Sequence, residues 1–109
     1  RLPGMAAELG YRQEDWLLAQ SPENWVLQLA SGASETSARS VLDRLGVARG
    51  AYYRTRRNSE LVYIALAGVW DSREAALAGK AELPAEFRDG GAFPRQINQI
   101  QAEILADLR

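Results

Sequence analysis

Two hydrophobic periods run through this chain and predict where its strands and helices lie. Residues 25–31, WVLQLAS, alternate as a strand, with the odd-numbered apolar residues on one face and Gln28 on the other. Apolar residues then recur at helical spacing across 38–45, between the candidate N-cap Ser34 and the stop signal Gly46. The pattern predicts a first strand followed by an amphipathic helix.

The next apolar segments predict a hairpin and a second helix. Residues 51–57, AYYRTRR, and 61–70, LVYIALAGVW, have strand composition and are separated by a turn-like Asn-Ser pair. Ser72 then caps a helix whose apolar face extends to Leu83, and Pro84 closes it. The order to this point is strand, helix, strand, strand, helix.

The two ends of the chain add a short strand and two flanking helices. Residues 92–100, AFPRQINQI, begin with alternation, and the proline restricts this strand to a short edge strand. Residues 97–108 have helical period and predict a terminal helix that folds back on the body. At the other end, acidic residues favour a short helix across 16–20, and residues 1–10 are interpreted as a linker or frayed start.

The complete order is helix, then βαββαβ, then helix, and the central part is the ferredoxin-like or RNP-like arrangement. We therefore expect an α+β domain over residues 11–109, with a four-stranded antiparallel sheet, helices on one face and the other face open. The strand at 61–70 is apolar on both faces. Its side carrying Val62, Ile64 and, by parity, Trp70 is predicted to be either a hydrophobic ligand surface or covered by a terminal helix.

Composition excludes several classes of chemistry. At 109 residues, with 47% apolar and 25% charged residues and a net charge of -1, the chain has one domain's length and no global field for polyanions. Cysteine and histidine are both absent, which removes disulfides, thiolate nucleophiles, Cys/His zinc sites and the usual general base. No apolar run approaches the roughly 20 residues that span a bilayer. We expect no catalytic residue, no metal and no cofactor.

Four segments along the chain together resemble the landmarks of SPOR domains, which are bacterial envelope modules. They are WVLQLAS at 25–31, GVWDSREAA at 68–76, the helix that ends in ELP at 82–84, and FPRQINQIQ at 93–101. The resemblance extends over residues 24–101 and is closest to the DamX-like subgroup, in which a short helix precedes the first strand. Each segment alone has low specificity, whereas their joint order and spacing are specific.

This resemblance implies a non-catalytic domain that binds peptidoglycan. The implied ligand is the denuded glycan strand, a GlcNAc-MurNAc chain from which amidases have removed the stem peptides. Binding would carry a cell-division protein to the septum. The resemblance also implies a periplasmic location, in a parent protein whose single inner-membrane helix lies outside this segment. Other divisome proteins would be partners through that parent, and nucleic acid would not be a partner.

The family's binding surface is the open sheet face, and its motif positions carry over to this chain residue by residue. DamX-like relatives have a Trp where this chain has Val62, so either a neighbour such as Tyr52, Tyr53 or Trp70 supplies the aromatic surface or binding is weaker than in those relatives. Arg95 adds a cation for a lactyl carboxylate. By motif position the family's residues correspond to Gln28, Ser31, Trp70 and Phe93. The full set of predicted glycan-binding residues is Gln28, Ser31, Tyr52, Val62, Ile64, Trp70, Phe93 and Arg95.

Less specific interpretations exist for the same residues. Gln28 is also explained as an ordinary polar residue on a solvated face, and Ser31 as a turn or cap residue. The basic run at 54–57, beside the tyrosines at 52–53, is similar to RNA-binding surfaces on this fold, but 64–69 lacks the aromatic signature of such modules. An adaptor that binds protein through an unpaired sheet edge is the third alternative.

Overall fold

The computed structural model describes residues 10–108 and contains four strands and five α-helices in that range. Residues 1–9, which hold most of the predicted linker, lie outside the described part. In chain order the elements are α1 (Glu14–Leu18), β1 (Trp25–Gly32), α2 (Glu35–Leu45), a 3-10 turn (Val47–Arg49), β2 (Gly50–Arg57), β3 (Glu60–Trp70), α3 (Arg73–Lys80), α4 (Ala85–Arg88), β4 (Phe93–Gln96) and α5 (Ile97–Asp107).

Local signals in the sequence set most of these boundaries. The side-chain oxygen of Ser34 accepts a hydrogen bond from the backbone N–H of Ser37 at 3.1 Å, and that of Ser72 accepts one from Ala75 at 3.0 Å. Both serines are therefore the predicted N-caps, of α2 and α3 respectively. In the hairpin between β2 and β3, the two residues at 58–59 both have positive φ, which matches the twist of the flanking strands.

The four strands form one antiparallel sheet in the order β2-β3-β1-β4. This order confirms the predicted α+β, ferredoxin-like fold. Helices α2 and α3 cover one face of the sheet, which we call the helix face. The main buried side chains on the helix face are Leu27, Val41, Leu42, Leu45, Tyr52, Ala76 and Phe87.

The opposite face is covered as well, so the expectation of an open sheet face is wrong. Helix α5 lies across it together with α1, and we call it the α5 face. The apolar pattern of β3 explains this, because a strand that is apolar on both sides needs a second cover. The alternative that a terminal helix covers the Val62 side is confirmed. The buried residues here are Leu17, Val26, Ala51, Tyr53, Ile64, Leu66, Ile97, Ile100 and Ile104.

Two irregularities in the strand pairing change which face some residues occupy. Leu27 pairs with Ala67, but Trp25 pairs with Trp70, so β3 holds one extra residue at Gly68. Gly68 has φ +68, the left-handed conformation typical of such a bulge. Trp70 therefore packs on the helix face, and the parity prediction for it is wrong. A second shift, in β1, pairs Ala30 with Ala65 of the helix-face core, so Ala30 does not share the face of Gln28.

The segment between α3 and β4 differs from its prediction. We expected Pro84 to close the second helix, and the predicted order has no helix between Pro84 and the last strand. Instead α3 ends at Lys80, and Pro84 stands immediately before α4. Proline favours helix starts because its missing N–H is not needed there. Phe87, which is 6% exposed, holds this short helix to the core.

The outer strands are covered or interrupted at their free sides. The backbone N–H of Tyr52 on β2 donates to the carbonyl oxygen of Arg12 at 3.0 Å. The N–H of Arg54 donates to the Glu14 carboxylate at 2.8 Å. On the other side, β4 has four residues, and its Pro94 has no N–H to donate.

Candidate functional site

A partly buried cluster of four polar side chains lies between the sheet and α5. The guanidinium of Arg95 on β4 donates from Nη1 to Gln28 Oε1 at 3.0 Å and to the Tyr53 hydroxyl at 2.8 Å. Its Nη2 donates to Oε2 of Glu103 on α5 at 2.5 Å. The Tyr53 hydroxyl donates to Oε1 of the same carboxylate at 2.7 Å. We call these four residues the Arg95 cluster.

The strand register explains why these side chains meet. β1 and β4 are neighbours, and Val26 pairs with Arg95 while Gln28 pairs with Phe93. Directly paired residues point to the same side of a sheet, so Gln28 and Arg95 both face α5. Gln28 is 6% exposed, and the Arg95 side chain is 10% exposed. Gln28 is therefore not a polar residue on a solvated face, because it is a buried acceptor for a cation.

The Arg95 cluster holds a charge where water cannot solvate it well. Burial is the largest single effect and lowers the pKa of Arg95, but the hydrogen bonds and charges of Glu103 and Tyr53 together outweigh it, so the pKa is raised. The pKa of Tyr53 is raised well above its ordinary value, first by burial and then by its hydrogen bond to Glu103. A buried cation of this kind requires a carboxylate partner, because leaving it unpaired is costly.

Four other predicted residues belong to the same face. Ile64 is fully buried beneath α5, and Val62 is half-buried beside it. Ser31 pairs with Ile64 in the register and is exposed. Phe93, opposite Gln28, is 47% exposed. The structure thus brings six of the eight predicted residues to one sheet face.

Two predicted residues, Tyr52 and Trp70, lie on the helix face instead. The Tyr52 hydroxyl donates to the Glu35 carboxylate at 2.5 Å and accepts from Arg39 Nε at 3.0 Å and from Gln13 Nε2 at 2.8 Å. Burial, then the hydrogen bond to Glu35, raises its pKa to about 12. Trp70 packs against the core under α2 and α3. Neither side chain can share a ligand surface with Gln28.

The sequence interpretation missed Glu103 as a member of the cluster. A signal for it existed, because Glu103 lies beside the buried Ile100 and Ile104 in the helical period. A carboxylate at the margin of an apolar helical stripe faces the body it packs on, where a cation can meet it. That cation is Arg95, the arginine of the preceding strand.

A second carboxylate of α5 meets the basic run of the hairpin. Asp107, whose side chain is 5% exposed, lies 3.0 Å through Oδ2 from Arg54 Nε. Its Oδ1 lies 3.2 Å from Arg56 Nε, a charge contact without hydrogen-bond alignment. Since Glu103 and Asp107 are four residues apart, both carboxylates project from α5 to the sheet. Two of the arginines that suggested RNA binding, Arg54 and Arg56, therefore contact the protein's own helix.

The segment that forms most of the sheet matches a known protein family. Between residues 10 and 108 no group of three or more metal-ligating side chains occurs, and no helix there has the length and apolarity needed to cross a membrane. The sequence model of the SPOR domain family matches residues 21–95, a range that contains β1 to β3, α2 to α4 and the start of β4. Helices α1 and α5 lie outside it. SPOR domains are peptidoglycan-binding modules of the periplasm that localise to the division septum, and this chain belongs to that family.

Proposed function

We propose that this domain binds glycan strands without stem peptides through the α5 face, and that it thereby directs a parent cell-division protein to the septum. The observation that carries this proposal is the Arg95 cluster, in which a buried guanidinium lies beside an amide and a phenol. Such a set binds a carboxylate together with neighbouring polar groups. None of the four residues of the Arg95 cluster has a catalytic role in this proposal.

The chemistry of the glycan explains the preference for denuded strands. Each MurNAc residue without a stem peptide carries a free lactyl carboxylate, whereas a stem peptide converts this group to an amide and adds bulk. Arg95 would bind the free carboxylate by charge-assisted hydrogen bonds, and would gain much less from the amide. Sugar ring faces and acetyl methyl groups would pack on Val62, Ile64 and Phe93.

Helix α5 covers this face, so glycan binding requires α5 to move away. While α5 covers the sheet, the carboxylate of Glu103 binds the guanidinium of Arg95. A lactyl carboxylate of the glycan would take the place of the Glu103 carboxylate. The exchange conserves the charge pair, and the glycan surface would cover the apolar residues that α5 leaves. Displacing the buried isoleucines of α5 costs about 1.5–3 kcal/mol for each side chain before the ligand compensates. The apparent affinity for glycan is then the affinity of the open state multiplied by the fraction of molecules in which α5 has moved away.

The test is co-sedimentation of the domain with purified sacculi before and after amidase treatment. We expect strong binding to treated sacculi and much weaker binding to intact ones. Equal binding to both preparations would contradict the preference for denuded glycan. Loss of binding in the presence of RNA, with a steep dependence on salt, would favour the nucleic-acid alternative instead.

Substitutions of Gln28 locate the site. Gln28→Leu keeps approximate volume but removes the acceptor of Arg95, and we expect glycan binding to weaken by about 1–3 kcal/mol. Gln28→Glu adds a negative charge that competes for Arg95 and repels the lactyl carboxylate, so it should weaken binding at least as much. Gln99→Leu, at an exposed position of α5, is the control. Unchanged binding by both folded Gln28 variants would exclude this face.

The parent protein completes the proposal. We place the domain in the periplasmic part of a single-pass inner-membrane protein of the DamX-like subgroup, with the anchor outside this segment. Contacts with other divisome proteins would be made through that parent. Septal localisation of a fluorescent fusion of the domain, exported to the periplasm, should depend on amidase activity, and amidase-independent localisation would contradict it.

A further inference from the structure

A cavity at the end of β3 stands apart from the Arg95 cluster. Its volume is about 520 Å³, within the range of small-molecule sites. It opens between α1, the 3-10 turn before β2, and the turn that follows α3. The side chains that give it chemical character are Arg12, Trp16, Gln20, Arg49, Trp70 and Glu82.

Two tryptophan side chains form walls of this cavity, and one of them packs against two glycines. A Cβ atom added at Gly68 or Gly79 would overlap the indole ring of Trp70. The ring therefore lies against bare backbone on both segments, and its orientation is fixed by packing. The second wall is Trp16 of α1, which is half-buried. Tryptophan faces are the surfaces on which the apolar faces of sugar rings pack.

The cavity also carries an excess of positive charge. The guanidinium of Arg12 lies 4.7 Å from the centre of the Trp16 ring, and Arg49 donates to the carbonyl oxygen of Leu45 at 3.3 Å. Among the described residues, no carboxylate forms an ion pair with either arginine. One acidic residue, Glu82, also lines the cavity. Both guanidinium groups thus keep donors for an anion, and one of them is already held in place by stacking.

We infer that this cavity is a second binding site, for a sugar ring that bears a carboxylate. The indoles of Trp16 and Trp70 contact the ring faces, and Arg12 and Arg49 bind the carboxylate. The amide of Gln20 and the carboxylate of Glu82 are suited to hydroxyl and acetamido groups. The inference rests on the proposed function for the identity of the sugar, which is a MurNAc residue with a free lactyl group. The two sites differ because the cavity is accessible while α5 covers the sheet face.

The experiment is an NMR titration of the domain with the GlcNAc-MurNAc disaccharide, and in parallel with the neutral GlcNAc disaccharide. We expect the first ligand to shift the indole N–H signals of Trp16 and Trp70, and the neutral ligand to bind more weakly by about 10-fold, since it lacks the charged acceptor. Arg12→Gln and Arg49→Gln should each weaken binding of the acidic disaccharide by about 10-fold. Arg44→Gln, an exposed arginine that pairs with Glu86, is the matched control and should leave it unchanged.

The outcomes separate this inference from the proposed function. Equal binding of the two disaccharides, or insensitivity of binding to both cavity arginines, would overturn the cavity site. Shifts confined to signals around Arg95 would also overturn it while supporting the α5 face. Arg95→Gln should leave the cavity titration intact, and a titration abolished by that variant alone would show that the sheet face is the binding site. Thermal unfolding of every variant establishes that it remains folded.

Discussion

Arg95 and Glu103 form an ion pair that joins the last strand of the sheet to the helix that covers it. The Arg95 Nη2 donates to Glu103 Oε2 at 2.5 Å, and the arginine side chain is 10% exposed. Arg95 is the last residue of the segment that the SPOR family model matches, and Glu103 lies beyond that segment. The contact therefore connects the segment that matches the family model to the helix that follows it.

Removing the charge of Glu103 should loosen α5. Glu103→Gln keeps the size of the side chain but leaves Arg95 without its counter-charge, and we expect the free energy of unfolding to fall by about 1–3 kcal/mol. Binding to amidase-treated sacculi should increase, by about 10-fold for each 1.4 kcal/mol by which the closed state is weakened. Hydrogen exchange across 97–107 and co-sedimentation measure the two effects.

Glu74→Gln is the control for this change, because Glu74 is exposed in the first turn of α3. It should alter neither hydrogen exchange in α5 nor glycan binding. If Glu103→Gln accelerates exchange in α5 but reduces glycan binding, then α5 contributes to the binding surface and is not displaced.

Phe93 should contribute to binding and little to folding. It pairs with Gln28 at the margin of the α5 face and is 47% exposed. Phe93→Ala should weaken glycan binding by about 1 kcal/mol through lost stacking surface, with a smaller change in unfolding free energy than a buried phenylalanine would give. Leu105→Ala, at a residue that is 50% exposed on α5, is the control. Equal losses of binding in the two variants would mean that the Phe93 effect is not specific.

Alanine substitutions of the two glycines beside Trp70, and of Gly91 as a comparison, should lower the stability of the fold by different amounts. Gly79→Ala introduces a clash with the indole, Gly68→Ala introduces the same clash together with a positive φ, and Gly91→Ala has a positive φ in open space. Overpacking costs about 1–3 kcal/mol, and unfavourable φ adds about 1 kcal/mol. We expect Gly68→Ala to be the least stable in urea unfolding and Gly91→Ala the most stable. Changed tryptophan emission in the Gly68 and Gly79 variants alone would identify Trp70 as the residue displaced, and equal stability of all three would contradict the packing described.

Alkaline pH should destabilise the fold through its buried tyrosines. The unfolded chain releases tyrosine protons near pH 10, whereas burial raises the pKa of Tyr52 to about 12 and that of Tyr53 in the same direction. The unfolded state therefore loses protons first, so stability is present below about pH 10 and is lost as pH rises toward and through 12. Above about pH 10, the free energy of unfolding should fall by up to about 1.4 kcal/mol per pH unit for each tyrosine.

Urea unfolding at a series of alkaline pH values measures this slope. Tyr52→Phe and Tyr53→Phe each remove one titrating group and should give a shallower dependence on pH, although both variants also lose hydrogen bonds and begin from lower stability. A slope that is the same in both variants and the parent would show that other groups cause the alkaline loss.

The sequence was sufficient for the parts of the fold that depend on local signals. Caps at Ser34 and Ser72, strand alternation and the hairpin turn each act within a few residues, and each was predicted. The bulge at Gly68 was missed because an extra residue in a strand leaves the composition unchanged and shifts parity for the residues beyond it. Helix α4 was missed because its single buried anchor, Phe87, lies among charged and glycine residues.

For the site, the sequence named eight residues, of which the structure brings six to one face, and it could not decide between an open ligand surface and one covered by a terminal helix. The motif located Gln28 and Phe93, and simple chemistry added Arg95. The partner of that arginine is eight positions further on, at Glu103, and the contact depends on how α5 folds back. Such docking is a property of tertiary packing between two apolar surfaces, which alternation along a single strand does not encode.

The covered strand edges have a consequence for a protein that accumulates on a narrow target. Many copies held side by side on a polymer reach high local concentration, and exposed strand edges then promote fibre-like association. In this domain Arg12 and Glu14 already occupy outward N–H groups of β2, and Pro94 interrupts the other edge. Copies recruited to the same length of glycan can therefore crowd together without adding strands to one another's sheets.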